Sequence, residues 1–211
     1  MKPEQKKIYY VLGDNLETLR NSLHTEKLRK DGIDVLLLDK VYDPFVMTAL
    51  QKYQDCEIVN AASEGDRKEE PEPTEDGKEE NKEPEKKEET PEHKVLTDLF
   101  SAALGDRVSA VRTTDRLVSS PARFVESEGA IPQEYQRIYK AMQQEYTAPK
   151  KVLELNPDHT LIQKVAECQD EELRKQIIDQ IYDDAMIMDG EAPDQVAMLE
   201  RLQNMMLKLL S

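Results

Sequence analysis

Residues with the chemistry for catalysis are few and scattered in this sequence of 211 residues. Its three histidines, His24, His93 and His159, occur singly rather than at metal-ligand spacing. His159 follows Asp158, an order that allows a polarised His–Asp pair. Because both residues stand at the start of a predicted helix, we interpret them as capping residues. A hydrolase that uses His159 with an acid is therefore the least favoured hypothesis for this chain.

Nucleophilic and phosphate-binding motifs are missing as well. Ser119 and Ser120 precede a proline without the G-x-S-x-G turn that exposes a catalytic serine. None of the seven glycines falls in a G-x-G-x-x-G or G-x-x-x-x-G-K loop. Cys56 and Cys168 are isolated thiols that suit a reducing compartment, although the sequence leaves a disulfide between them open. We expect this chain to have no enzymatic activity, no cofactor and no metal.

The composition argues against two classes of partner. The formal net charge of −15 opposes binding to the phosphates of nucleic acids and to anionic membrane surfaces. No apolar run approaches the roughly 20 residues of a membrane span, and the first ten residues do not resemble a signal peptide. The expectation is a cytoplasmic protein that binds neither nucleic acid nor membrane.

A charged segment divides the chain into three parts. Residues 63–93 contain no aliphatic, aromatic or sulfur side chain, and from position 64 to 92 they carry fourteen acids against six bases. Four prolines interrupt any long helix. Because the segment has no apolar surface to bury, we predict a disordered linker. A less favoured alternative is an acidic decoy for basic partners.

The first part, residues 1–62, alternates strands and helices. We predict strands over 7–12 and 33–38, a helix over 15–30 that ends at Asp31-Gly32, and a helix over 43–53 opened by Pro44. The pattern is typical of an α/β layer with a parallel sheet. The strand over 33–38 is almost continuously apolar, as a strand covered on both faces would be. Since 62 residues make a small core, we expect this part to be a fragment of a larger domain.

The third part, residues 94–211, is predicted to be an α+β domain. Strands over 107–113, 122–127 and 151–155 would form a small mixed sheet. Helices are predicted over 95–104, 131–146, 159–168, 171–188 and 193–210. The last two helices would form a hairpin around Gly190.

The helix over 193–210 is more apolar than one domain core requires. At about 100° per residue its apolar side chains cover roughly 200° of the helix surface, about twice the stripe that a single core needs. The preceding helix has a wide apolar arc too. We therefore predict that the hairpin pairs with that of a second copy in an intermolecular four-helix bundle, which makes the chain a homodimer. The predicted dimer interface comprises Ile177, Ile181, Met188, Val196, Leu199, Leu202, Met205, Met206, Leu209 and Leu210.

The helix over 131–146 carries one stripe rich in Tyr and Met. Such side chains suit adaptable binding surfaces, because they combine contact area with polar or polarisable groups. The alternative is an ordinary stripe that faces the core. The candidate binding residues are Ile131, Tyr135, Ile138, Tyr139 and Met142.

Five segments in sequence order resemble the C-terminal half of bacterial HtpG-type chaperones of the heat shock protein 90 family. They cover the chain apart from the linker, and their order and spacing make the resemblance specific. The segments are KKIYYVLGDN (6–15), LRKDGIDVLLL (28–38), DPFVMTAL (43–50), TDRLVSSPARFVESEG (114–129) and VLELNPDHTLIQK (152–164).

The resemblance implies that residues 1–62 end a chaperone middle domain and that residues 94–211 form a C-terminal dimerisation domain. The ATP-binding domain, with its ATP and Mg, would lie upstream, so no ATP-site residue is assigned here. The last two helices would form the dimer bundle, and Ile131, Tyr135 and Tyr139 would contact unfolded or partly folded client proteins. The implied function is a dimerisation and client-binding module of an ATP-dependent chaperone in protein folding and the stress response. The alternative is a passive dimeric scaffold without direct client contact.

Overall fold

The computed structural model describes residues 5–63, 90–127, 130–131, 135–136, 138–139, 142 and 149–210. Two sheets organise the described chain into an α/β unit, residues 5–63, and a C-terminal unit, residues 90–210. The α/β unit contains β1 (Lys7–Leu12), α1 (Leu16–Arg20), α2 (Glu26–Lys30), β2 (Val35–Leu38), α3 (Asp43–Ala49), β3 (Lys52–Tyr53) and β4 (Cys56–Asn60).

The sheet of the α/β unit has the strand order β2-β1-β4-β3. Strand β1 pairs in parallel with β2 and β4, placing Tyr10 opposite Leu36 and Ile8 opposite Ile58. This confirms the predicted parallel pairing of the main strands, while β3 adds an antiparallel edge strand that was not predicted. The expectation that the second strand is covered on both faces is wrong, because β2 is an edge strand and Leu36 is 48% exposed.

The helix predicted over 15–30 is broken in the middle. The Asn15 side chain accepts a hydrogen bond from the Glu17 amide at 2.7 Å and starts α1, which ends at Arg20. A 3-10 turn over Leu23–Thr25 follows, and the Thr25 hydroxyl donates to the Ser22 carbonyl at 2.9 Å. Asn and Ser side chains in this stretch compete with helical hydrogen bonding, which favours a turn. As a result α2 (Glu26–Lys30) is a separate short helix.

The helix predicted over 43–53 is also shorter in the structure. Helix α3 ends at Ala49, and the following residues form a hairpin in which β3 pairs antiparallel with β4. Gln54, at the turn, has a positive φ of 53°. Residues 52–53, which were predicted to be helical, therefore form a strand paired with β4.

The C-terminal unit is a small mixed sheet covered by helices, as predicted. The sheet order is β5-β7-β6, with β5 parallel and β6 antiparallel to the central β7. Its elements are α4 (Pro91–Leu104), β5 (Ala110–Thr113), β6 (Ala122–Val125), β7 (Val152–Leu155), α5 (Thr160–Glu167), α6 (Glu171–Met188) and α7 (Gln195–Leu210).

Two predicted segments fall largely outside the described residues. Residues 64–89 contain most of the predicted linker, while α4 begins at Pro91, within the predicted linker range, with Thr90 as its cap. Of the helix predicted over 131–146, residues 135–136 and 138–139 are described and helical.

One hydrophobic core fills the C-terminal unit. Phe100 of α4, Leu153 and Leu155 of β7, and Ile178 of α6 are almost completely buried in it. Phe124 of β6 meets the ring of Tyr182 edge-on at 5.3 Å. In the described part of the chain, no helix combines the length and apolar character that crossing a membrane requires.

Candidate functional site

The residues with potential for catalysis have structural roles. His159 Nδ1 accepts the Leu161 amide at 3.1 Å, so its interpretation as a helix cap is confirmed. Ser119 and Ser120 contact the Glu26 carboxylate rather than a histidine. Within the described ranges no cluster of three or more His, Cys, Asp or Glu side chains is suited to hold a metal ion.

The two cysteines are free. Cys56 lies in β4 of the α/β unit, and Cys168 ends α5 in the C-terminal unit. Both side chains are half-buried, and no disulfide joins them.

The most apolar exposed surface lies on α7. This helix has no buried residue, although its sequence is dominated by Leu, Met and Val. Leu209 and Leu210 are 86% and 85% exposed. Exposed apolar side chains concentrated on one helix of a folded chain are typical of interaction surfaces. Exposed apolar side chains on α7 are Val196, Leu199, Met206, Leu207, Leu209 and Leu210.

Ion pairs fix the face that α7 turns towards α6. Arg201 pairs with Asp183 in the C-terminal half of α6, and the Lys208 ammonium lies 3.3 Å from the carboxylate of Asp170, which caps the start of α6. The two helices are therefore antiparallel, and α7 presents Arg201, Leu202 and Met205 to α6 as a half-buried stripe. The exposed apolar residues occupy the remaining surface of α7.

The predicted interface residues are distributed over three environments. Ile181 is 1% exposed and belongs to the core of its own chain, and Ile177 packs against that core. Leu202 and Met205 are half-buried in the hairpin. Met188 at the end of α6 is exposed, as are five predicted residues of α7: Val196, Leu199, Met206, Leu209 and Leu210.

The five predicted client-binding residues are partly accessible. Tyr135 and Met142 are exposed. Ile131, Ile138 and Tyr139 are half-buried. The Met142 amide donates to the Ile138 carbonyl at 2.9 Å, which continues the helical hydrogen bonding at this point.

A second apolar surface on the α/β unit was not predicted. Helix α3 buries Pro44 while Phe45 and Val46 are exposed, and Tyr42 and Leu50 at its two ends are exposed as well. The sequence signal was present, since DPFVMTAL has apolar residues on more than one helix face.

A cluster of charges connects the α/β unit with the end of α6. The Lys151 ammonium contacts Asp189 and lies 2.6 Å from Glu191, and His24 Nε2 lies 3.6 Å from Asp189. Burial alone would lower the pKa of Lys151, but Asp189 and Glu191 outweigh it and raise the pKa above its ordinary value. Burial raises the pKa of Asp189. The contacts with His24 and Lys151 lower it by more, so the pKa lies below its ordinary value.

A second buried charge lies inside the small sheet. The Glu154 carboxylate of β7 accepts hydrogen bonds from the guanidinium groups of Arg123 at 2.7 Å and Arg112 at 2.9 Å. Arg123 and Glu154 are both buried. A carboxylate paired on two sides is a structural element of the sheet and is poorly placed to react.

Sequence similarity assigns the chain to a protein family. The family model described as Hsp90 protein matches residues 1–211, and the chain therefore belongs to the Hsp90 family.

Named relatives extend this result. The chain is 35% identical over 211 residues to "Chaperone protein HtpG" of Treponema denticola, covering 99% of this chain and 32% of the relative. It is 35% identical over 214 residues to the protein of the same name from Psychrobacter arcticus, covering 99% of this chain and 31% of the relative. With the HtpG of Pseudoalteromonas translucida it shares 34% over 212 residues, 99% of this chain and 32% of the relative. The chain thus spans about a third of the length of the curated relatives it matches.

Proposed function

We propose that this chain is the dimerisation and client-binding module of an ATP-dependent molecular chaperone. Membership of the Hsp90 family and the name "Chaperone protein HtpG" of its relatives support the chaperone role. The observation that carries the dimerisation role is α7, a helix of 16 residues none of which is buried despite its apolar sequence. Its partner in this proposal is a second copy of the chain.

In the dimer, the α6–α7 hairpins of two copies pack into a four-helix bundle. Arg201 and Lys208 fix α7 on α6, so the exposed apolar residues of both copies face each other. Burial of each such side chain contributes about 1.5–3 kcal/mol of favourable transfer free energy. Half a dozen on each copy supply a stable interface even after the entropic cost of association.

Clients bind to exposed Tyr and Met side chains of the C-terminal unit, principally Tyr135 and Met142. The surface around Phe45 and Val46 on α3 offers further apolar contact. Side chains that combine contact area with a flexible or polar end suit partners of varied sequence. Because a dimer holds two copies of these surfaces, a client can be held at two points.

The ATP-driven step belongs to the longer protein. ATP and Mg would bind outside the third of the relatives' length that this chain matches, and no residue of this chain is assigned to them. The longer protein would be a cytoplasmic homodimer. The part of this chain is mechanical. The bundle holds two copies together, so movement elsewhere changes the space between their client surfaces.

Dimerisation is tested by sedimentation of the 211-residue chain. We expect a dimer for the unmodified chain and a monomer for Met206→Glu combined with Leu209→Glu, because both introduce charges into the apolar interface. The matched control is Val95→Glu, which changes an exposed apolar residue on α4 and should leave the dimer intact. A monomeric unmodified chain would overturn the bundle.

Client binding is tested separately from dimerisation. Tyr135→Ser with Met142→Ser should weaken suppression of aggregation of an unfolded test protein, with melting temperature and dimerisation unchanged. Val95→Ser serves as the control for loss of an exposed apolar side chain elsewhere. If the double variant loses thermal stability instead, these residues support the fold, and the passive dimeric scaffold is the better description.

A further inference from the structure

Glu26 is placed to hold a loop of the other unit. It is the first residue of α2, and its carboxylate accepts the backbone amides of Val118 at 3.1 Å and Ser119 at 2.7 Å. The Ser119 hydroxyl also donates to it, and the Ser120 hydroxyl lies at 3.5 Å. One side chain of the α/β unit thus satisfies two backbone groups of the loop between β5 and β6.

The same corner of the α/β unit makes two more charged contacts with the C-terminal unit. Lys27, the next residue of α2, places its ammonium 3.2 Å from the Asp115 carboxylate in the same loop. His24, in the turn before α2, reaches Asp189 at the end of α6. Three polar side chains within four positions therefore contact two different elements of the C-terminal unit.

Apolar packing across this junction is limited. Leu23 faces Phe124, Ala185 and Met188, but a small cavity remains between them. The hydrophobic core cluster of the C-terminal unit contains residues from Leu96 onwards and none from the α/β unit. The side-chain hydrogen bonds and ion pairs described above therefore lie outside this core. Such contacts can be broken without exposing either core.

We propose that Glu26 is the positioning residue of a separable latch, formed by residues 23–27, that fixes the angle between the α/β unit and the C-terminal unit. Glu26 holds the 118–120 loop, Lys27 holds Asp115, and His24 holds the end of α6. The loop leads directly into β6, and the Asn156 side chain donates to the Ser120 carbonyl at 3.2 Å, so the latch is connected to the central sheet.

The electrostatics of Glu26 are consistent with this role. Burial raises the pKa of its carboxyl, but the hydrogen bonds from Ser119 and the neighbouring amides outweigh burial and lower the pKa below its ordinary value. The ionised carboxylate is the form that accepts these bonds. Hydrogen bonds to a charged acceptor are stronger than neutral ones, which suits a latch formed by few residues.

Residue-resolved hydrogen exchange of the full chain tests the latch. In Glu26→Ala, the amides of Val118 and Ser119 should lose about tenfold or more of their protection, since bonds to a charged acceptor are worth about 1.5–3 kcal/mol. Glu26→Gln keeps an acceptor oxygen without the charge and should show a smaller loss. Glu17→Ala, an exposed acid in the first turn of α1, is the matched control and should show none. Amides of Leu153 and Leu155 in β7 report whether the C-terminal unit stays folded.

The angle is measured with spin labels at Gln51 and Lys164, two exposed positions on different units, in a chain whose cysteines are replaced by serine. Labelled chain is diluted into unlabelled chain, so that a distance within one copy is read whether or not the chain dimerises. The distance distribution should broaden in Glu26→Ala and stay narrow in Glu17→Ala.

Three results would overturn the latch. If Glu26→Ala leaves the protection of the Val118 and Ser119 amides unchanged, Glu26 does not hold these amides. If the amides of β7 lose as much protection as those of Val118 and Ser119, the junction unfolds together with the C-terminal unit and is not separable. If protection is lost only at Val118 and Ser119 while the distance distribution stays unchanged, Glu26 holds the loop but does not set the angle between the units.

Discussion

Lys151 and Asp189 illustrate how charged side chains are used inside this molecule. The ammonium lies between two carboxylates, and Asp189 in turn receives His24 from the other unit. Buried charges are tolerated when they are paired on several sides, and the loss of one partner leaves the others poorly compensated. At the scale of single residues, charge therefore stabilises contacts between elements.

The first prediction concerns Asp189 and pH. Its pKa in the folded chain lies below the ordinary value of 3.8, so its contribution to stability is complete above about pH 5 and is lost as the pH falls through the folded pKa. Asp189→Asn should lower the free energy of unfolding by about 2 kcal/mol at neutral pH. The difference from the unmodified chain should shrink between about pH 5 and pH 3.

Urea unfolding at several pH values measures this difference. The control is Asp106→Asn, which changes a fully exposed acid that lies 3.7 Å from Lys150. It should unfold like the unmodified chain at every pH. A constant difference between Asp189→Asn and the unmodified chain from neutral to acid pH would contradict the assignment.

Residue roles could be predicted from sequence where the partner is local. His159 caps the helix that begins at the next residue by accepting an amide two positions away, and its place after a turn was sufficient to predict this. Glu26 contacts amides more than ninety positions along the chain, and no spacing rule relates the two sites. The predicted client-binding and dimer residues stay predictions, and Ile181 among them lies in the core of its own chain.

At the scale of elements, the end of α6 is set by the backbone of Gly190. Its φ is 84°, a conformation that residues with a Cβ rarely adopt. The Gly190 amide donates to the Ile187 carbonyl at 3.0 Å and the Glu191 amide to the Met186 carbonyl at 2.8 Å, the two bonds of a Schellman motif. This turn also directs Glu191 back to Lys151.

The second prediction is that Gly190→Ala destabilises the chain by about 1 kcal/mol, because the native φ is strained for alanine. Gly190→Asn should cost less, since asparagine tolerates the left-handed region better. Thermal unfolding measures both. Equal losses for the two variants would show that the cost arises from side-chain contacts rather than from the backbone.

Element prediction succeeded where local signals agree with the tertiary structure. Helix α6 was predicted over 171–188 with both ends correct, because an acidic start and a glycine stop bracket it. The predicted helix over 43–53 was too long, because β4 captures residues 52–53 in a hairpin. The exposure of Leu36 on an edge strand could not be predicted either, since strand order depends on long-range pairing.

At the scale of the whole molecule, a folded chain with net charge −15 keeps a large apolar surface on its last helix. The α+β class could be predicted from the small sheet, its covering helices and the helical hairpin that follows them. The contact between the units could not, because it depends on side chains distant in sequence. If the surface of α7 is covered by a second copy, folding and association are one linked equilibrium.

The last prediction follows from this linkage. For a dimer that unfolds to monomers, each tenfold increase in chain concentration adds about 1.4 kcal/mol to stability. Because two chains unfold together, this is about 0.7 kcal/mol per chain, which for chains of this size corresponds to a rise of about 1.5–3 °C in melting temperature. The Met206→Glu, Leu209→Glu variant should melt at a lower temperature that is independent of concentration. Val95→Glu should keep the concentration dependence. Calorimetry over a hundredfold concentration range distinguishes the cases, and a melting temperature of the unmodified chain that stays constant over this range would mean that α7 stabilises the monomer alone.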